Sequence, residues 1–241
     1  MYLSVDSDGP LEHLEYCFGA EFRYAEVPER RRSQFNVRVR WMLSSLTRDK
    51  EDLVTVLNET LSLPNVSDLD LVSVLDWSVE GARNALGSVH QHRSRVPGDQ
   101  IERAKTFPVR PRSGALATQS LVDDLTRVVR SHPAYRSATV IIGGPDSLGE
   151  VPNLRTRLAR GLAAATGKDL VILQWPAWRI AGGALRASAL ERRLHGPCLV
   201  VDDIWTDGAT MTAIARLARA SGADRVYGLA ATMSHRDEDG V

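Results

Sequence analysis

Residues 198–210 read CLVVDDIWTDGAT. An apolar run ends in two adjacent carboxylates, Asp202 and Asp203, and a Gly-containing turn follows at once. A buried strand ending this way aims acids at the space beyond its carboxyl end. Gly208 lets backbone approach a ligand closely. A helix beginning near Ala209 would present free N–H groups and the positive end of its dipole, a ready anion site. Thr206 and Thr210 add hydroxyl donors. One turn therefore offers acceptors for hydroxyls and donors for a phosphate, the combination a sugar phosphate needs. The same pair of acids is also readable as a helix-capping pair, or as the Mg2+ site of another α/β protein. A second Gly-rich turn, GGPDSLGE at 143–150, ends another β-branched run.

The elements that must position these turns follow from texture. After Gly114 strands and helices alternate. ALATQSLVDDLTRVVRSH (115–132), LRTRLARGLAAATG (154–167) and GATMTAIARLARASG (208–222) are amphipathic helices; SATVIIGG (137–144), KDLVILQW (168–175), CLVVDD (198–203) and DRVYGLAATMS (224–234) are strands. Continuous apolar strands between helices predict a parallel sheet covered on both faces. Ligands of such sheets bind beyond the carboxyl ends of the strands. The segment 177–193 lies ahead of the 198–203 strand and is Gly-interrupted. Gly182-Gly183 are read there as a lid hinge. Upstream, VRVRWMLSSL (37–46), EDLVTVLNETL (51–61) and SDLDLVSVLDWSVEGARNAL (67–86) space apolar residues by three and four, predicting helices. Residues 88–114 are polar, hold three prolines and read as a linker or surface loop.

Composition narrows the function classes. The 241 residues carry 30 basic and 30 acidic side chains, so net charge gives no pull toward nucleic acid or an anionic membrane. The basic cluster RYAEVPERRRSQFNVRVR (23–40) is interleaved with Glu26 and Glu29, and nucleic acid is not the expected partner. Cys17 and Cys198 give neither a metal spacing nor a disulfide framework. His90 and His92 form an H-x-H pair with no third ligand near in sequence. Trp175 and Trp178 are expected as packing aromatics before base-stacking ones. The N-terminus has no signal-peptide pattern and no window spans a bilayer, so a cytoplasmic protein is expected.

The run CLVVDDIWTDGAT resembles the signature with which type I phosphoribosyltransferases bind 5-phosphoribosyl 1-pyrophosphate (PRPP). The DRVYGLAAT strand after it is similar to the ComF-like branch of that family. The resemblance covers roughly residues 115–234. It implies that Asp202 and Asp203 bind the ribose hydroxyls, partly through Mg2+. It implies that Thr206, Asp207, Gly208, Ala209 and Thr210 bind the 5-phosphate, and that Gly143 and Gly144 take the place of the pyrophosphate loop. Arg179 or Arg186, from the mobile segment of the family, would reach pyrophosphate. Arg155 and Arg157 are further candidates for its positive charge. Two departures stand out. Asp207 occupies a position where the family has Thr or Ser, and GGPDSLGE has two acids and no base.

The expected architecture is an α/β, doubly wound parallel sheet of the type I phosphoribosyltransferase kind over 113–241, with a mostly helical domain or extension over 1–112. The expected function is transfer of the phosphoribosyl group from PRPP to a nucleobase or amine, with Mg2+ as cofactor. PRPP and a small-molecule acceptor are the partners; a homodimer is admitted and a membrane is not. The alternatives are a non-catalytic sensor of PRPP or a nucleotide, and hydrolysis or lysis of a phosphoribosyl compound at the same site.

Overall fold

Val140-Ile141-Ile142 and Cys198-Leu199-Val200-Val201 are apolar at every position, a pattern that suits a strand covered on both faces. All seven residues are buried. The structure, a computed structural model, describes residues 2–3, 7–42, 47–64, 66–77, 97–107, 109–146, 152–174, 178–181, 184–187, 190 and 193–234. In chain order its elements are β1 (Tyr2–Leu3), α1 (Gly9–Phe18), β2 (Phe22–Ala25), β3 (Val37–Trp41), α2 (Arg48–Glu59), β4 (Leu61–Leu63), β5 (Leu71–Trp77), α3 (Pro97–Lys105), α4 (Pro111–Ser131) and α5 (Pro133–Ser137). They continue with β6 (Val140–Asp146), α6 (Leu154–Thr166), β7 (Asp169–Gln174), β8 (Trp178–Ala181), β9 (Ala184–Ala187), β10 (Gly196–Trp205), α7 (Ala209–Ala220) and β11 (Ala223–Met233).

Six strands form the main sheet in the order β4-β5-β11-β10-β6-β7. All neighbours are parallel except β4, which runs antiparallel to β5. The chain is therefore an α/β fold. Its two cores lie on opposite faces of the sheet. Ile141, Leu199, Val201 and Leu229 meet Leu121, Leu125, Leu158 and Leu162 of α4 and α6 on one face. Val140, Ile142, Val200 and Ala230 meet Met211, Ile214 and Ala215 of α7 on the other.

From β6 the chain passes through α6 to β7 at one edge. It then returns to the other side of β6 to lay down β10 and β11. Connections thus leave β6 and β10 in opposite directions, which makes the gap between them the topological switch point where ligands of doubly wound sheets bind. Their pairing runs only from Cys198↔Val140 to Val200↔Ile142. Beyond it Gly143-Gly144, expected as a turn but still part of β6, and the Asp202-Asp203 pair line the crevice that opens where the two strands cease to pair.

Residues 1–112 carry more strand than their spacing led us to expect. Val37–Trp41, expected helical, is β3; its V-R-V-R alternation has the period of a strand, and Val39 is fully buried. Leu71–Trp77, also expected helical, is β5, pairing with β11 and β4. Leu71 to Leu75 are all buried. A short apolar run buried on both faces has no helix-or-strand period to read. Pro97–Lys105, expected as loop, is a helix, and α4 starts at Pro111 within the same expected loop. A small antiparallel sheet, ordered β1-β3-β2, packs Phe22 and Val39 against Leu14 of α1 and Leu53 of α2. His90, His92, Trp175 and Gly182-Gly183 lie outside the described residues.

Candidate functional site

Ten residues of β10 run between β11 and β6 and carry Asp202 and Asp203 to the crevice. Asp202 is 3% exposed and Asp203 9% exposed. Both meet one guanidinium. Arg155 places Nε 3.3 Å from Asp202 Oδ1 and Nη2 3.6 Å from Asp203 Oδ1. The Asp203 backbone N–H donates to Asp202 Oδ1 at 2.8 Å. Burial pushes the Asp202 carboxyl well above the usual carboxylate range; the Arg155 cation opposes that rise and the Asp203 charge adds to it.

Arg155 comes from the first turn of α6. That turn is fixed by the Asn153 side chain, which accepts the Thr156 N–H at 2.9 Å. It is also fixed by Gly143, where a Cβ would stand 2.4 Å from the Ala159 Cβ. Gly143 is thus the residue that lets α6 lie directly on the end of β6. Arg157, the other candidate cation of this helix, turns away. It donates to Thr118 Oγ1 at 2.7 Å and to the Ala104 carbonyl at 2.8 Å, with the Phe107 ring beneath it.

The 206–210 turn forms as expected in outline. α7 begins at Ala209 with Gly208 as its N-cap at φ 74. A side chain at 208 would be doubly excluded: by that φ, and by the buried Trp205 ring 2.5 Å from a Cβ. Asp207 is exposed, and its carboxylate folds back over the turn. Its Oδ1 accepts the Ala209 N–H at 3.0 Å and the Thr206 hydroxyl at 3.4 Å. The carboxylate therefore uses a donor of the anion cradle itself.

Asp202, Asp203, Gly143, Gly144 and the 206–210 turn are thus gathered at the carboxyl ends of β6 and β10. Arg179 and Arg186 face each other as paired residues of the β8–β9 hairpin, between β7 and β10; the reach of their side chains lies outside the described residues. Arg155 was legible in the sequence as a helical arginine, but nothing there marked it as the partner of the acid pair. Two cavities, of about 480 Å3 beside Tyr24 and Phe35 and about 370 Å3 beside Leu63 and Leu71, lie away from these residues.

No group of three or more His, Cys, Asp or Glu side chains able to hold a metal occurs among the described residues. Mg2+ characteristically takes one or two carboxylates and completes its shell with water and substrate phosphates. The Asp202-Asp203 pair fits that ion as part of a phosphorylated ligand's shell and does not form a cage for it. Among the described residues no helix is long and apolar enough to cross a membrane.

No family model and no curated protein matches the chain. Among solved structures, it is similar to a purine phosphoribosyltransferase from Pyrococcus horikoshii Ot3 at 16% identity and a TM-score of 0.32, over 50% of this chain and 82% of that one.

Proposed function

We propose that the crevice between β6 and β10 binds PRPP and that the protein is a type I phosphoribosyltransferase. The observation that carries this reading is one arrangement: two buried carboxylates stand near the carboxyl end of β10 at the switch point of the sheet, and a helix opening on Gly208 follows. In this reading Asp202 and Asp203 accept the ribose hydroxyls. The backbone of 206–210 and the hydroxyls of Thr206 and Thr210 take the 5-phosphate. Gly144, at φ 112, lets pyrophosphate approach the backbone beside Gly143, whose missing side chain makes room for Ala159, with Arg179 or Arg186 as further cations. Bound Mg2+ would neutralise charge developing on the departing pyrophosphate. The bond from ribose C1 to the pyrophosphate oxygen breaks, and pyrophosphate leaves with the electron pair. A bond from C1 to a nitrogen of a nucleobase or amine forms, and that nitrogen gives its proton to water. The chain's own contribution is positioning and charge: carboxylates beside the ribose as positive charge grows on it, held by a strand that cannot shift.

A second reading keeps the ligand and drops the reaction. The Asp207 carboxylate bonds the Ala209 N–H that a 5-phosphate would use. A site that yields this donor reluctantly suits a sensor of PRPP or a nucleotide. Calorimetry with PRPP and Mg2+ tests both readings. Absence of binding removes both. Binding with pyrophosphate release over a panel of nucleobases and amines supports the transferase, and binding without release supports the sensor.

A further inference from the structure

Arg155 sits where a cation is least welcome to a helix. It is the second residue of α6, at the positive end of that helix's dipole. What compensates is the acid pair: one guanidinium spans both carboxylates, at 3.3 and 3.6 Å. Its side chain is 27% exposed, whereas those of Asp202 and Asp203 are 5% and 13% exposed. The acids are built into a central strand; the cation is the partner with freedom to leave. Its backbone is anchored over β6 by the contact between Gly143 and Ala159, so a departing guanidinium stays beside the Gly143-Gly144 stretch of that strand.

We propose that Arg155 is a built-in counter-cation of the acid pair and the residue that selects for a pyrophosphorylated ribose. This rests on the phosphoribosyl reading. Without ligand Arg155 is the shared counter-charge of Asp202 and Asp203. When a ribose bearing a 1-pyrophosphate and its divalent cation enters, the ligand takes over the carboxylates. The freed guanidinium then pairs with pyrophosphate, for which a guanidinium fork is well shaped. A divalent cation alone, or ribose 5-phosphate, evicts Arg155 without offering it a new anion at that side. Both are therefore held weakly, and the selectivity lies in the exchange of partners.

The test compares wild type with Arg155→Gln. Mn2+ alone, followed by electron paramagnetic resonance, should bind about tenfold more tightly to the variant, because its competitor is gone. PRPP with Mg2+ should bind about tenfold more weakly, while ribose 5-phosphate, relieved of the same competitor as Mn2+, should bind up to about tenfold more tightly. Two carboxylates left side by side can unfold the variant, so Arg155→Lys is measured in parallel. Its point charge cannot span both acids, and Mn2+ should bind it about threefold more tightly than wild type. Unchanged or weaker Mn2+ binding in the folded variants overturns the counter-cation role, whatever PRPP does. An equal loss for PRPP and ribose 5-phosphate overturns the selectivity. Tighter Mn2+ binding in the variants, with no PRPP binding to wild type, sinks the phosphoribosyl reading instead and leaves the counter-cation role standing.

Discussion

Acid should weaken this fold through two buried histidines. His13 of α1 and His132, just after α4, are both fully buried and share a hydrogen bond of 2.9 Å between His13 Nδ1 and His132 Nε2. His13 Nε2 lies 3.2 Å from the Val72 carbonyl of β5, which can only accept, so Nε2 carries the His13 proton in the neutral ring. His13 Nδ1 then accepts from His132, and His132 Nδ1 remains a buried acceptor without a partner. His132 also stacks on Tyr135 at 4.1 Å, and the Tyr135 hydroxyl donates to Ser73 of β5. Burial pulls His13 from 6.5 down to about 4, with the Val72 bond opposing, and burial also pulls His132 well below its ordinary value. The unfolded chain takes up these protons below about pH 6.5, and the folded chain resists until about pH 4. The unfolded state binds more protons in that window, so stability falls as pH drops through it. At about 1.4 kcal/mol per pH unit, His13 alone contributes a loss of roughly 3 kcal/mol by pH 4. Asp202, raised by burial, works in the opposite direction, because its protonation favours the fold. Urea denaturation at several pH values between 7.5 and 4.5 should therefore be run on wild type and on His13→Gln, which keeps a donor for Val72 and cannot titrate. His132 and Asp202 titrate in both proteins, so the variant should lose stability less steeply than wild type, the two profiles diverging by up to about 3 kcal/mol as pH falls toward 4. The same decline in both proteins would refute the assignment to this pair.

Other outcomes follow from the crevice. Gly208→Ala puts a Cβ against the Trp205 ring at a positive φ and should destabilise by about 1–3 kcal/mol, read as a lower urea midpoint; an unchanged midpoint would show that the turn tolerates a side chain. Asp207→Thr releases the Ala209 N–H and should cost up to about 1 kcal/mol of stability while tightening PRPP about tenfold, a gain that shrinks with added salt. Weaker PRPP binding in that variant would mean that the carboxylate contacts the ligand itself. Asp203→Asn should weaken PRPP by about 1–3 kcal/mol, the scale of a charge-assisted contact, in calorimetry.

How far the sequence showed all this depended on whether the deciding contact was local. The strand Cys198–Asp203, the turn at 206–210 and the helix after it are set by neighbours in sequence, and they form close to where the apolar run and Gly208 put them. The course of β5 was hidden because Leu71–Leu75 is buried on both sides by β11, β4 and two cores, leaving no alternation to read. β3 was hidden for a different reason. Its alternating V-R-V-R pattern was present, but the apolar residues that continue it also satisfied a spacing of three and four. Arg155 was visible as one of several arginines on α6. Only the crossing of α6 over β6 and β10 separates it from Arg157, which spends its donors on Thr118 and Ala104. The folding back of the exposed Asp207 carboxylate onto the Ala209 N–H is a local rotamer choice, and no spacing encodes it.

The crevice divides into fixed and movable charges. Asp202 lies opposite Ala230 of β11 in register, and Thr232 of the same strand bonds the Asp203 carbonyl, so neither acid can retreat without disturbing the centre of the sheet. Each movable charge already satisfies a fixed group of opposite sign: Arg155 the acid pair, Asp207 the N-terminal donor of α7. A ligand carrying only a phosphate could displace Asp207 and would leave Arg155 in place. One carrying only hydroxyls or a metal would face the reverse. Displacing both requires an anion at one end and hydroxyls with a cation-bearing second anion at the other. An intramolecular ion pair costs far less to reform than a ligand costs to recruit, so partial ligands lose the competition to the protein's own side chains. Affinity measured for fragments should then underestimate affinity for the whole ligand by more than the sum of their separate contacts. The side-chain source of that excess is Arg155: freed by the ribose end, it is re-paired only when the same ligand also brings the second anion.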